Sequence, residues 1–355
     1  MKKLNRKNRM PKFYSNEIVF RGHPDKVCDQ ISAAILFEAM KQDPNTRAGI
    51  ETAGGKGKIF ITGEITTKAK FDVEDIVKKV LRSVGYSTNY EIINNLGFQS
   101  EDIALGVDTG GAGDQGMMFG YACTDTPELL PTAMVILQRF AKAYDKLRRD
   151  EPSAFYPDGK AQITGVYDKH FRLVRIKDFV ISYQNCEVRD YKGTMDAEVM
   201  SLAKAICFDY NVPIERFHIN PTGKFKIGGF EGDAGLTGRK IVVDAYQSFA
   251  NVGGGCMNGK DPTKVDFSAA HKARQLAKRF LTQFKLKWCE VQISYAIGES
   301  LPLAIYIDSN KGNILLPEEE YSKLRIECTP RNIIKDLCLQ AVDFVELAKY
   351  GHFTN

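Results

Sequence analysis

The chain has 355 residues, 43% of them hydrophobic and 26% charged, with a formal net charge of +5. Those values describe a soluble globular protein too long for one ordinary core, so two or three domains are expected. No apolar run approaches the roughly 18 residues of a membrane span, and the eight cysteines form neither a CxxC pair nor a zinc-type cluster with the five histidines.

The opening twelve residues, MKKLNRKNRMPK, hold six basic side chains and no apolar signal region. They read as a disordered extension, the sharper alternative being a weak tether to nucleic acid. With no export signal, reduced thiols in a cytoplasm are the simplest expectation. Pro24 then opens a helix whose apolar positions Val27, Ile31, Ala34 and Ile35 fall on one stripe. The strand-like runs AGIETA and KIFITGEIT follow, and FDVEDIVKKVLRSV repeats its apolar residues at helical steps. A second block starts at GAGDQGMMFGYA. It continues through a long helix (PTAMVILQRFAKAYDKL), the strands AQITGVY and FRLVRIKDFVISY, and a helix near MDAEVMSLAKAI. A third block starts with IVVDAY as a strand, then a helix from Pro262 and the strands CEVQISYAIG and LAIYID. EEEYSKLRI or RNIIKDLCL closes it as a helix. Strand, helix, two strands, helix thus recurs about every 110 residues. Sheets covered on one face by helices, an α+β arrangement, are expected.

Two motifs match well-known spellings but lack their context. GAGDQG, Gly111 to Gly116, spells the dinucleotide fingerprint, yet a glycine-rich loop precedes it and a strand-like run follows. The fingerprint needs a strand before and a helix after. GGGCMNGKDPTKVD, Gly253 to Asp266, resembles a P-loop with Asp261 where Ser or Thr should hold magnesium. Six residues, Gln247 to Val252, separate it from IVVDAY, and a carboxylate at 261 repels phosphate unless a metal lies between. Asp261-Pro262 reads instead as a helix start, with Asp261 as N-cap and Pro262 at the first position. Lys260, Lys264 and Asp266 then gather near a positive helix end. That is an anion site with a metal-capable carboxylate; a capped surface helix with solvated lysines is the plain alternative. GHPDKVCDQ (His23, Asp25, Lys26), YPDGK (Asp158, Lys160) and GDAGLTGRK (Asp233, Arg239, Lys240) bring the same ingredients. Each alone is an ordinary turn or helix start. Together they suit a magnesium–polyphosphate ligand.

With GEITT, VQISYAIG and YGHF, these motifs run in order from about Tyr14 to Phe353, and the chain resembles the S-adenosylmethionine synthetase family. The resemblance implies three similar, intertwined domains of pseudo-threefold symmetry, each a mixed β-sheet with helices on one face. They would span 13–104, 105–228 and 229–355, after an extension over 1–12. It also implies a methionine adenosyltransferase: methionine sulfur attacks C5′ of ATP and expels the triphosphate, which water cuts to diphosphate and phosphate. A neutral sulfur needs no general base, which leaves the protein to align reactants and stabilise the leaving group. By motif, His23, Lys160, Arg239, Lys240 and Lys260 match catalytic positions. Asp158, Lys224, Phe225, Asp233 and Cys256 join them around ATP. Glu64, Gln99, Asp114, Asp233, Lys264 and Ile297 match methionine contacts. Asp25 and Asp266 match magnesium ligands, with two Mg2+ per site, and Glu51 matches a K+ ligand. Implied partners are ATP, L-methionine and further copies of the chain, as a homodimer or homotetramer with active sites between subunits. Neither nucleic acid nor membrane is implied.

The chain departs from the family pattern in places. Phe20 and Arg21 stand where a serine–glutamate pair usually precedes GHPD, although Glu17 keeps its place. Cys256-Met257-Asn258 replaces Ala-Phe-Ser, Phe230 a proline and Phe267 an arginine. The gating loop between Gln99 and Gly110 is short, and the usual further tail after YGHF is absent. No principal charged position is lost, which favours an active enzyme over a catalytically silent regulatory relative.

Overall fold

A computed structural model describes residues 13–98, 110–152, 154–186 and 192–353. The basic extension and Gln99 lie outside the described residues. The first block holds β1 (Phe13–Val19), α1 (Pro24–Gln42), β2 (Arg47–Gly55), β3 (Lys58–Thr66), α2 (Val73–Val84) and β4 (Glu91–Gly97). The second holds β5 (Gly116–Cys123), α3 (Thr132–Asp150), β6 (Phe155–Tyr167), β7 (Leu173–Asn185), α4 (Lys192–Asp209) and β8 (Ile214–Ile219). The third holds β9 (Gly235–Leu236), α5 (Ile241–Asp244), α6 (Val265–Gln283), β10 (Trp288–Tyr295), β11 (Ala304–Ser309), α7 (Glu318–Glu327), α8 (Pro330–Asp336) and α9 (Phe344–Leu347). No helix among the described residues is long and apolar enough to cross a membrane.

The three sheets run β4-β3-β2-β9, β1-β6-β7-β8 and β11-β10-β5. The first two are mixed, with parallel β3–β4 and β7–β8 pairs; the third is antiparallel throughout. Each block hands its first strand to a neighbour. β1 pairs with β6 of the second block, β5 with β10 of the third, and β9 with β2 of the first, all antiparallel. The long helices repeat the exchange: α1 packs on β2 and β9, α3 on β6 and β1, α6 on β10 and β5. Strand exchange of this kind makes the α+β domains intertwined and cyclically related.

Alternation drives the layering. In β2, Ala48, Ile50, Thr52 and Gly54 face inward while the residues between them are only half-buried. Ile50, Ile59 and Ile61 meet Val27, Ile31 and Ile35 of α1 in one core. Each such side chain contributes about 1.5–3 kcal/mol on burial. Gly120 lets α6 approach β5: a Cβ there would lie 1.9 Å from the carbonyl carbon of Ala273.

Two local expectations are corrected. IVVDAY is a single helical turn, α5, rather than a strand. The strand position in this block is filled by Gly235–Leu236, and Asp244 is drawn inward to Lys26. The following helix begins at Val265 with Lys264 as its N-cap residue, not at Pro262. Asp261 is no cap, because its carboxylate accepts from the amides of Ala48 and Thr263. Both EEEYSKLRI and RNIIKDLCL are helical, as α7 and α8.

His352 of YGHF is buried, 6% exposed, with Nδ1 unpartnered. Burial, and then Lys26, push its pKa down to about 3. The folded chain therefore keeps this imidazole neutral at pH values where the unfolded chain, with a pKa near 6.5, takes up a proton. Stability from the neutral ring is complete above pH 6.5 and declines as pH falls toward the folded value. His352→Gln is expected to destabilise at pH 7.5 by an amount that shrinks by about 1.4 kcal/mol per unit below pH 6.5. Urea unfolding of both proteins from pH 7.5 to 5 measures this; a difference independent of pH would show that the ring titrates normally.

Candidate active site

The first group of polar residues surrounds the start of α1. His23 is the N-cap residue, and its Nδ1 accepts the amide of Asp25 at 3.2 Å. With Nδ1 accepting, the proton of the neutral ring sits on Nε2, where it is available to donate. Burial, then Lys240 and Lys160, push the His23 pKa down to about 3 against the pull of Asp25. Asp25 is 1% exposed, accepts the Leu236 amide at 2.9 Å and pairs with Lys240, with Arg239 Nε at 3.5 Å. Burial alone would raise its pKa, but the Lys240 and Leu236 hydrogen bonds hold it below the usual range. Lys160 lies opposite Val19 in the β1–β6 pair, four residues before His23. Two residues earlier on the same strand, Asp158 accepts the Gly229 amide at 2.8 Å. Burial and nearby Asp233 push Asp158 up to about 6. Gln184 ties Asp158 to the segment bearing Lys224 and Phe225, accepting from the Asp158 amide and donating to the Lys226 carbonyl. Lys224 is exposed and Phe225 half-buried.

The second group surrounds the start of α6. Residues 259–261 dock on the edge of β2: Ile50 N–H donates to Gly259 O at 3.0 Å and Asp261 N–H to Ala48 O at 3.1 Å. Gly259 has φ +76°, and a Cβ there would stand 2.1 Å from the Ile50 carbonyl oxygen. β9 occupies the other end of the same strand edge, at Ala53 and Gly54. Thus the glycine–lysine run is a sheet-edge segment, and its geometry is unlike that of a P-loop. It sets Lys260 against Asp266, while Lys264 reaches Glu64 at 3.3 Å. Burial lowers the pKa of Lys260, but the Asp266 carboxylate outweighs it and the net shift is upward. Gly255 passes so close to Asp266 that a Cβ would overlap its carboxylate. Half-buried Glu51 is pushed up to about 7 by burial, with Asp29 and Glu64 adding to it and Lys260 opposing. Cys256 packs on Gly238, and burial raises its thiol pKa. Ala112 exchanges hydrogen bonds with Gly298 and Glu299, which brings exposed Ile297 beside the loop holding Asp114.

Of the sequence-predicted residues, the structure therefore collects His23, Asp25, Asp158, Lys160, Asp233, Arg239 and Lys240 in one group. Glu51, Glu64, Asp114, Cys256, Lys260, Lys264, Asp266 and Ile297 form the other. No ion pair among the described residues joins the two. Asp29, Asp244 and Gln184 belong to the first group's frame and escaped the sequence reading; only the helical spacing of Lys26 and Asp29 hinted at them. The departures at 20 and 21 also have partners. Phe20 stacks on Tyr144 at 4.4 Å. Arg21 donates to Gln30 and Ser83 at 2.8 Å each and lies 3.8 Å from Asp145, so its charge is answered within the core.

A class follows from this arrangement: cations and hard carboxylates on glycine-rich backbone, with no nucleophile–base pair among the described residues, point to an enzyme that moves a group by binding and stabilising a polyphosphate. Three family models match: S-adenosylmethionine synthetase N-terminal domain over residues 11–107, central domain over 109–225 and C-terminal domain over 227–355. The chain is also similar to the S-adenosylmethionine synthase of Nocardioides sp., 38% identical over 371 aligned positions covering 96% of this chain and 93% of that protein. The chain belongs to the S-adenosylmethionine synthetase family. Its activity is that of a methionine adenosyltransferase.

Proposed function

We propose that the two groups are complementary halves of one site, brought together when two copies of the chain associate, so that ATP and L-methionine react between subunits. That Lys240 pairs with Asp25 and Lys260 with Asp266, with no ion pair between the two groups among the described residues, is the observation that carries this proposal. A second feature supports it. Leu236, Ala53, Phe60 and Ile93 form a cross-strand row over the helix-free face of the first sheet, and Phe60, Ile93 and Leu236 are exposed. Glu51 and Glu64 share that face by alternation. A monomer leaves the row in water; a second copy would cover it.

In the joint site, a sulfur lone pair forms the bond to C5′ as the C5′–O bond breaks, and the electrons leave with the triphosphate. His23 Nε2–H, Lys160, Arg239, Lys240 and Lys260 answer the charge that develops there. Asp158, Asp233, Lys224, Phe225 and Cys256 hold the nucleotide, with Phe225 against adenine. Glu64, Gln99, Asp114, Lys264 and Ile297 receive methionine. Among the described residues no three His, Cys, Asp or Glu side chains cluster as a metal site. Single carboxylates suit Mg2+, which is commonly held by one or two protein oxygens plus substrate phosphates. Asp25 and Asp266 would hold the two magnesium ions, which supply charge neutralisation of the triphosphate. Glu51, crowded by Asp29 and Glu64, would hold K+. The free cysteines fit a reducing cytoplasm, and the domains are taken as 13–104, 105–228 and 229–355.

The test uses purified protein with ATP, methionine, Mg2+ and K+, followed for S-adenosylmethionine and phosphate. His23→Asn and Lys260→Met subunits, each inactive alone, are then unfolded and refolded together. Random pairing would restore one intact site in each mixed dimer, about a quarter of wild-type activity. A mixture as inactive as its parents would place both halves in one chain's own site and sink the proposal.

A further inference from the structure

The segment that presents Arg239 and Lys240 is fastened at both ends to α1 by buried charges. Asp25 and Asp29, four residues apart on one helix face, are separated by about 6 Å along the axis. They accept the amides of Leu236 and Gly238, two residues apart where β9 runs into a turn, at 2.9 and 3.0 Å. The helix thus offers its carboxylates as a strand would offer carbonyls. Beyond Lys240 the chain turns into α5, where Asp244 meets Lys26 Nζ at 2.7 Å; Lys26 also lies 3.1 Å from Asp29. Lys26 is 1% exposed, Asp29 0% and Asp244 3%. The Asp244 carbonyl accepts the His352 amide at 2.8 Å, which closes the far end against the C-terminal segment.

Burying three charges is costly, and apolar side chains of similar volume in place of a buried ion pair are often neutral or stabilising. A register role explains why charges stand here instead. When Lys240 turns from Asp25 toward a polyphosphate, the Asp25 contact is lost, whereas the Asp29–Lys26–Asp244 chain stays.

We infer that Lys26, Asp29 and Asp244 are positioning residues that hold Arg239 and Lys240 in place to receive the triphosphate. The inference rests on the proposed function, yet its test also works without turnover. Asp244→Asn and Asp29→Asn, both nearly isosteric, are made alone and combined with Lys240→Met. Tripolyphosphate binding is measured by calorimetry, together with kcat, the KM for methionine and the thermal midpoint. Misplacement of a charged group by about 1 Å costs up to about 100-fold, so each single variant should lose about tenfold or more in tripolyphosphate affinity and kcat, with the KM for methionine unchanged. In the Lys240→Met background the same substitutions should cost clearly less than in the wild type, because one of the two groups they position is gone and only Arg239 remains to be misplaced. Equal losses in both backgrounds, or wild-type affinity in both Asn variants, would overturn the inference. A wild-type protein that binds tripolyphosphate with this coupling but forms no S-adenosylmethionine would instead count against the proposed function alone.

Discussion

Lys260→Met is expected to lower the rate of S-adenosylmethionine formation by about 100- to 1000-fold with the fold intact, as loss of one preorganised charge in a transition-state pocket typically does. The ammonium is half-buried against Asp266 and sits on backbone fixed to β2 at Gly49, so it neither drifts nor pays much to reorganise. His23→Asn should produce a loss of the same size from the other half. Under the proposed roles each group acts on charge that grows as C5′–O breaks, so kcat is expected to fall more than the KM for ATP rises. Hydrolysis of added tripolyphosphate should also slow in Lys260→Met, since the same anion remains for that second step. The alternative, a capped surface helix with solvated lysines, expects a variant like wild type. Turnover within about twofold of wild type would leave that alternative standing.

Much of the candidate site was legible because short motifs placed charges beside glycines: GHPDK, YPDGK, GDAGLTGRK and GGGCMNGKDPTKVD each landed in one group or the other. Amphipathic periodicity likewise located α1, α2, α3 and the paired strands after each long helix. Strand exchange was not legible. Nothing in FYSNEIV or the two-residue Gly235–Leu236 says which sheet each will join, since pairing is settled by contacts far away in sequence. IVVDAY misled for a related reason: its apolar residues suit a strand, but the edge of β2 was already occupied and Lys26 captured Asp244. Asp261 before proline has the spelling of a helix cap, and only the fold reveals Ala48 as its partner.

That last residue separates the two accounts of the glycine–lysine run by size of effect. As an N-cap, Asp261 would contribute about 1 kcal/mol, and Ser would replace it nearly without loss. In the structure it is 0% exposed and accepts three hydrogen bonds: Ala48 N–H at 2.9 Å, Thr263 N–H at 2.9 Å and Thr263 Oγ1 at 2.7 Å. Asp261→Ala would leave two backbone amides and a hydroxyl without partners in the interior, a cost of about 3–5 kcal/mol. Asp261→Ser restores the P-loop spelling, yet a short hydroxyl cannot reach both amides, so it should still lose about 2 kcal/mol or more and gain no phosphoryl transfer to other acceptors. Urea unfolding of the two variants decides between the accounts; losses of about 1 kcal/mol or less would return Asp261 to the role of a cap. Kinetics give an independent check, because residues 259–261 carry Lys260 on the edge of β2. Asp261→Ser subunits should therefore share the defect of the second half-site. Mixed with His23→Asn subunits they should recover activity, and mixed with Lys260→Met subunits they should not.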